Sequence, residues 1–127
     1  MVEILFKEES YRIIGSCMKV HSVLGCGFLE SVYQEALARQ FVVDNIPFEQ
    51  EKLVNVYFND IKLDKFFKLD FLCFEKIVVE LKAKPFLHQD NIDQTRNYLK
   101  STRLQLGILV NFGEKSLAYK RVLSTTK

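Results

Sequence analysis

Two helical patterns fill the first third of the chain. Between residues 8 and 24 the apolar positions recur at three- and four-residue spacing, which predicts a helix with one apolar stripe. A Gly-Cys-Gly turn at residues 25–27 interrupts the pattern, and helical spacing resumes over residues 28–44. Pro47 closes this stretch, so we expect two consecutive helices before any strand.

Segments rich in β-formers dominate the rest of the chain. The turn signal Asn59-Asp60 separates the first two of them, and Pro85 ends the third. The patterns predict strands over 53–58, 61–74, 77–83, 104–110 and 116–123, with a helix over 88–102. The order α-α-β-β-β-α-β-β predicts an α/β (α+β) fold. Three consecutive strands favour an antiparallel meander and the strand–helix–strand step a parallel neighbour, so we expect a mixed sheet flanked by helices.

Composition indicates one globular domain. The 127 residues are 48% hydrophobic and 27% charged, and residues 1–127 are expected to form a single domain. No apolar run reaches the roughly 18 residues of a membrane span. The first nine residues lack the basic start and apolar stretch of a signal peptide, so we expect a cytoplasmic location.

Cysteine use and charge distribution limit the functions to consider. The 3 cysteines are an odd number without a C-x-x-C pair, which argues against a disulfide framework or a zinc ribbon. We expect Cys17, Cys26 and Cys73 to be buried or half-buried thiols. Residues 1–81 carry 9 basic and 13 acidic residues, whereas residues 82–127 carry 9 basic and 3 acidic ones. This division fits either a phosphate-binding face beside a carboxylate cluster or an uneven solvated surface.

Two acids occupy strand segments where apolar residues are expected. Asp70 lies in the second strand and Glu80 in the third, and burying a carboxylate beside a sheet is costly without a partner. In a hairpin centred on Glu75 the two acids are equidistant from the tip, so they oppose each other on one face. Their charges repel unless a cation lies between them. Lys82, two residues after Glu80, shares that face.

The D-x9-E-x-K pattern has a catalytic and a structural interpretation. Oxygen ligands suit hard cations such as Mg²⁺ or Mn²⁺, which can activate a water and stabilise a five-coordinate phosphate. A lysine amine nearby can orient that water and offset the developing charge. Alternatively, Asp70, Glu80 and Lys82 form an ion-pair group on a solvated sheet face, which is the more frequent origin of such a triplet.

Further polar side chains lie on the predicted helices. Glu30, near the start of the second helix, either joins the acids or complements the helix dipole. Gln94 and Tyr98 share one face of the third helix, where Gln94 could bond a water or a phosphate and Tyr98 is either its support or a core residue. We expect His21 to be a core or boundary residue and His88 a cap-region or surface residue.

Four motifs in sequence order resemble one known family. They are Val20-His21-x-x-Leu24-Gly25 with Gly27-x-x-Glu30-x-x-Tyr33, then Asp70 with Glu80-Leu81-Lys82-Ala83, then Gln94-x-x-x-Tyr98-Leu99, and then Leu109-x-Asn111-Phe112-Gly113. Over residues 8–123 the chain is similar to the GxxExxY protein family, which is assigned to the PD-(D/E)XK nuclease superfamily. The proline of the superfamily motif is missing here, because Leu69 precedes Asp70.

This resemblance implies a fold and a set of residue roles. It implies a restriction-endonuclease-like αβββαβ core with the active site on the central hairpin. The implied roles are metal binding for Asp70 and Glu80, the motif lysine for Lys82, completion of the metal shell for Glu30, and the Q-x-x-x-Y element for Gln94 and Tyr98.

Together the residues and the resemblance favour a Mg²⁺- or Mn²⁺-dependent nuclease acting on nucleic acid, with DNA preferred. Candidate contacts to the nucleic-acid backbone are Lys84, Arg96, Lys100 and Arg103. Two other functions stay open: a non-catalytic nucleic-acid or protein-interaction module on the same fold, and a structural domain whose acids point apart. A homodimer or a partner protein is a further source of specificity, and no membrane partner is expected.

Overall fold

The computed structural model describes residues 4–125 and contains the predicted elements in the predicted order. The elements are α1 (Lys7–Leu24), α2 (Glu30–Val43), β1 (Phe48–Phe58), β2 (Ile61–Cys73), β3 (Ile77–Lys82), α3 (Gln89–Thr102), β4 (Leu106–Asn111) and β5 (Ala118–Leu123). The strands form one sheet in the order β1-β2-β3-β4-β5. β3 and β4 are parallel, and the other pairs are antiparallel. The predicted mixed sheet flanked by helices is therefore confirmed.

Alternation along the strands divides the core into two clusters, one on each face of the sheet. Ile77 and Val79 of β3 belong to the larger cluster, which includes residues of α1 and α2. Val78 belongs to the smaller cluster together with Leu99 of α3. Because side chains on a strand alternate, Glu80 lies on the same face as Val78, towards α3.

One strand boundary differs clearly from the prediction. β1 begins at Phe48, five residues before the predicted start, whereas every other element agrees within two residues at each end. Residues 49–52 are polar and exposed, and they pair with β2 along the edge of the sheet. An edge segment exposed in this way carries no alternating apolar signal, so periodicity does not detect it.

The hairpin of β1 and β2 extends beyond the rest of the sheet. The last pair between β2 and β3 is Phe71↔Val79, and β2 continues from there towards Ile61 paired only with β1. We call the two-stranded part the β1–β2 arm and define it as residues 52–58 and 61–69.

β2 changes face at Asp70. Phe67 and Leu69 pack in the cluster on the α3 side, whereas Phe71 packs in the cluster of α1 and α2. A regular strand would place all three on one face. Opposite Asp70, Glu51 has a φ of 52°, which is uncommon for a residue other than glycine. The irregular backbone at this point coincides with the start of the arm.

The turn after β4 closes tightly on the segment after β3. Asn111 is fully buried, and its Oδ1 accepts hydrogen bonds from the backbone N–H of Lys84 (2.9 Å) and of Gly113 (3.1 Å). Its Nδ2 donates to the carbonyl of Lys84 at 2.9 Å. These bonds fix the path of the chain directly after Lys82.

Replacing Gly113 by alanine is expected to destabilise the protein by about 3 kcal/mol, because the new methyl group has no space. A Cβ at Gly113 would overlap the carbonyl oxygen and the backbone nitrogen of Lys84. Gly15 is the matched control: it lies inside α1 with nothing within 4 Å of the added Cβ. Gly15→Ala should stabilise by roughly 0.5–1 kcal/mol. Urea unfolding of both variants measures the difference, and equal effects would contradict the close approach.

The cysteine prediction is right for two positions and wrong for one. Cys17 and Cys73 are buried, and burial raises the pKa of the Cys73 thiol to about 12. Cys26 is exposed, because it lies in the short turn between α1 and α2 rather than on a helix face.

Hydropathy gives no sign of a membrane segment in residues 4–125, where the helices are too short or too polar to cross a bilayer.

Candidate active site

Asp70 and Glu80 face each other where β2 and β3 separate. The backbone N–H of Asp70 donates to Oε2 of Glu80 at 2.7 Å, and the N–H of Leu81 donates to Oδ2 of Asp70 at 2.9 Å. Each carboxylate thus bonds the backbone of the opposite strand just beyond the last backbone pair of the two strands. The predicted opposition of the two acids is present, and side-chain oxygens hold the strands together at this point.

The two acids are largely removed from water. Glu80 is only 5% exposed, and burial together with the neighbouring Asp70 charge raises its pKa to about 8. Burial also raises the pKa of Asp70, against the opposing effects of the Leu81 N–H and the Lys82 charge. Both carboxylates therefore resist ionisation unless positive charge is supplied close to them.

One oxygen of each acid remains available. Oδ1 of Asp70 and Oε1 of Glu80 accept no hydrogen bond within the described part of the chain, and neither is sealed from solvent. Lys82 is half-buried at the end of β3, and its charge lowers the pKa of both acids. The structure therefore brings Asp70, Glu80 and Lys82 together as the sequence predicts.

Glu30 lies close enough to feel the same charges. It is the first residue of α2. Partial burial raises its pKa, the charge of Lys82 lowers it, and Asp70 and Lys84 act in opposite directions with smaller effects. A third carboxylate thus stands at the margin of the acid pair, and it also occupies the dipole-stabilising position of the first helical turn.

A tyrosine fixes the turn that places Glu30. The Tyr33 hydroxyl donates to the carbonyl of Gly25 at 2.5 Å and accepts from the N–H of Phe28 at 3.3 Å. Gly25 and Gly27 have φ angles of 69° and 110°, which glycine adopts without a steric penalty. The Gly and Tyr of the GxxExxY motif therefore shape the turn, and the Glu stands at its end.

Tyr33→Phe is expected to cost about 1–2 kcal/mol of unfolding free energy, because the buried carbonyl of Gly25 loses its donor. The phenyl ring keeps its stacking on Phe112, whose centroid lies 4.8 Å away. Hydrogen exchange at Phe28 should accelerate in the variant. Tyr11→Phe is the control, since Tyr11 is 78% exposed, and an equal loss in both variants would contradict the role of the hydroxyl.

Helix α3 brings Tyr98 to the site from the other side. The Tyr98 ring stacks on Phe67 with centroids 4.2 Å apart and an interplanar angle of 13°. Burial raises the pKa of Tyr98, and the charges of Glu80 and Asp70 add to the shift. Gln94, one turn earlier, is exposed, and its side chain has no hydrogen bond within residues 4–125. The packing of Tyr98 supports both a core role and a place beside the acids.

The residues predicted to contact the nucleic-acid backbone do not form one patch. The charge of Lys84 acts on Glu30, so this lysine lies near the acids. Lys100 and Arg103 instead line a groove of about 640 Å³ at the end of α3, together with Tyr57 of the arm. Arg96 is 3.8 Å from Asp93, and its buried Nε has no hydrogen-bond partner in the described part of the chain.

Two residues of the site region have roles that sequence spacing does not reveal. Nε2 of His21 is 2.8 Å from the carbonyl of Glu114, and the ring lies beside Phe112, so His21 is a boundary residue that ties α1 to the turn after β4. The Asn111 side chain bonds both the N–H and the carbonyl of Lys84. The motif around Asn111 marked it as notable, but its partner lies 27 positions away in the sequence.

The donor set suits a hard divalent cation. Among residues 4–125, no group of three or more His, Cys, Asp or Glu side chains is placed to hold a metal ion, and Glu30 does not complete such a group. Mg²⁺ usually keeps several waters and takes one or two carboxylates, so the Asp70–Glu80 pair suffices. Because burial raises the pKa of both acids and the charge of Asp70 raises that of Glu80 further, the ionised pair needs a positive charge close by to be stable.

Known proteins share this fold. The crystal structure of SSO0001 matches with a TM-score of 0.60 at 18% sequence identity, over 95% of this chain and 60% of that one. This chain therefore spans less than two thirds of the length of SSO0001, and the likeness shows the fold alone. No curated protein sequence matches significantly. The family model of the PD-(D/E)XK nuclease superfamily matches residues 7–122. Since that match covers nearly the whole chain, the protein belongs to the PD-(D/E)XK nuclease superfamily.

Proposed function

We propose that this protein is a nuclease that hydrolyses phosphodiester bonds in DNA with Mg²⁺ or Mn²⁺ as cofactor. The observation that carries the proposal is the convergence of Asp70, Glu80 and Lys82 where β2 and β3 separate. Superfamily membership supports a nucleic-acid substrate and a divalent ion. DNA and the identity of the ion are our proposals.

The acids serve as the metal ligands in this proposal. Asp70 and Glu80 would hold the ion through the carboxylate oxygens that accept no backbone hydrogen bond, while Oδ2 of Asp70 and Oε2 of Glu80 stay bonded to the backbone. When bound, such an ion lowers the pKa of a water and offsets charge on the phosphate. Glu30 acts from an outer position through water, because it does not form a three-ligand group with the pair.

The remaining side chains position water and phosphate. The amine of Lys82 orients the attacking water and offsets the negative charge that develops on the phosphate. Gln94 donates a hydrogen bond to the water or to a phosphate oxygen, and Tyr98 supports that end of α3 against Phe67. Lys84, Arg96, Lys100 and Arg103 bind backbone phosphates, which makes binding weaken as salt rises.

Within the superfamily, we propose membership of the GxxExxY group. Support comes from the way its motif residues act together: Tyr33 bonds both ends of the turn, two glycines allow it, and Glu30 follows. The Asn-Phe-Gly motif supports the same assignment, since Asn111 and Gly113 both contact Lys84.

A cleavage assay tests the proposal directly. The purified chain is incubated with single- and double-stranded DNA and RNA of one sequence, in Mg²⁺, in Mn²⁺ and in EDTA. We expect DNA cleavage with either ion and none in EDTA. Binding without turnover under every condition would instead favour a non-catalytic nucleic-acid-binding module.

A further inference from the structure

We propose that the β1–β2 arm binds single-stranded nucleic acid and leads it to Asp70, so that the substrate class is single-stranded or unpaired DNA. This inference rests on the proposed function for the meaning of the acid pair. The binding surface is the arm strip, which we define as Tyr57, Lys62, Phe66 and Lys68.

Strand pairing places the arm strip on one face. Tyr57 pairs directly with Lys62, so these two side chains lie side by side. The pairing shifts register between Asn55 and Tyr57, but these two residues are two apart on β1, so their partners Phe66 and Lys62 lie on one side. Lys68, two residues beyond Phe66, shares that side. Phe67 points to the opposite face, where it stacks on Tyr98. Aromatic rings and amines therefore alternate along a face that α3 does not cover.

The aromatic rings of the strip are open to solvent. Tyr57 is 62% exposed and Phe66 is 58% exposed, in contrast to the buried Phe71 of the same hairpin. Exposed rings beside a basic path are the platform on which successive bases of a single strand stack. In a duplex the base faces are already stacked on each other, so the rings favour unpaired strands.

Cations around the strip are not used within the protein. Within residues 4–125 five basic residues of this region have no carboxylate oxygen within 4.0 Å: Lys62, Lys65, Lys68, Lys100 and Arg103. Lys100 and Arg103 line the 640 Å³ groove beside Tyr57. These two residues lie on the α3 side, so the charge that meets a phosphate backbone passing along the strip itself is that of Lys62 and Lys68.

The strip ends beside the acid pair. Lys68 precedes Asp70 by two residues, at the point where β2 changes face and separates from β3. A strand stacked on Phe66 and Tyr57 would pass Lys68 on the side away from α3 and reach the acids through the gap between β2 and β3. The arm is thus placed to hold the substrate on one side of the cleavage point.

A second copy of the chain is a poorer occupant of the strip. A two-fold contact brings the same patch of both copies together. Lys62 and Lys68 each carry a positive charge and Asp64 is the one acid between them in the sequence, so two strips brought together would keep a net positive charge. Charge thus favours a polyanion over self-association.

Fluorescence anisotropy with labelled oligo(dT) in EDTA tests the inference apart from catalysis. We expect tighter binding to oligo(dT) than to a duplex of equal length. Tyr57→Ala and Phe66→Ala should each weaken oligo(dT) binding by about tenfold, whereas Tyr57→Phe keeps wild-type affinity. Lys62→Gln should reduce the slope of log affinity against log salt by about 0.7. Tyr11 is a still more exposed tyrosine on α1, and Tyr11→Ala should have no effect.

Three results would overturn the inference. Unchanged affinity in both Ala variants would remove the rings from the interface, and equal or tighter binding of duplex would remove the single-strand preference. A concentration-dependent dimer that Tyr57→Ala dissociates would assign the strip to a second copy. Since no metal is present, these outcomes are independent of cleavage: a chain that binds oligo(dT) through the strip but never cuts would refute the proposed function and leave only the binding of single strands by the arm.

Discussion

Asp70→Asn is expected to reduce DNA cleavage in Mg²⁺ or Mn²⁺ to the level of the metal-free control. The asparagine still offers an oxygen to the N–H of Leu81, so the strand contact is kept while the charged metal ligand is lost. Lys82→Ala should lower kcat by about 10²–10³-fold, the range found when one preorganised group that stabilises a developing charge is removed. Initial rates at saturating substrate and metal measure both losses.

Two matched variants separate catalysis from charge and stability. Asp64→Asn makes the same substitution in the same strand at an exposed position, and Lys120→Ala removes an exposed lysine from β5. Both should cleave at the wild-type rate. If Asp70→Asn and Lys82→Ala also cleave normally, the acid pair is not the active site. Loss of cleavage in all four variants would instead indicate a general loss of stability, because the two kinds of substitution change the net charge in opposite directions.

The opposition of Asp70 and Glu80 could be predicted from the sequence because two simple rules determine it. The turn at residues 74–76 fixes the centre of the hairpin, and side chains alternate with a period of two. The observed register Phe71↔Val79 has the same centre, so the two acids follow as the next opposed positions. The order of the helices and strands is also predictable, because the apolar pattern of each element depends only on residues close together in the sequence.

Other features depend on contacts that no local pattern encodes. The exchange of backbone pairing for carboxylate bonds at Asp70 coincides with an irregular backbone at Glu51 opposite it, and nothing in the spacing indicates a positive φ there. The bonds from Tyr33 to Gly25 and from Asn111 to Lys84 join segments whose folded paths must be known first. Sequence therefore identified these residues by motif, and the structure supplies their physical roles.

Without metal, raising the pH from about 5 to about 8 is expected to lower the free energy of unfolding. Burial, with the Asp70 charge, raises the pKa of Glu80 from 4.5 to about 8. Between these values the native state holds a proton that the unfolded state has released, so stability is full below about 4.5 and is lost as the pH rises through 8. Each unit of difference corresponds to about 1.4 kcal/mol.

Glu80→Gln and added metal should each remove this dependence, for different reasons. Glutamine stays neutral at every pH and still accepts from the Asp70 N–H, whereas Mg²⁺ or Mn²⁺ stabilises the ionised acids, so its stabilising effect grows with pH. Glu75→Gln, in the exposed turn, is the control and should keep the wild-type slope. The lowered pKa values of Glu9 and Asp44 act only at lower pH and do not enter this range. Urea unfolding in EDTA across the interval measures the slope: a flat or rising profile in the wild type would mean that Glu80 is already ionised without a cation, which would contradict the raised pKa.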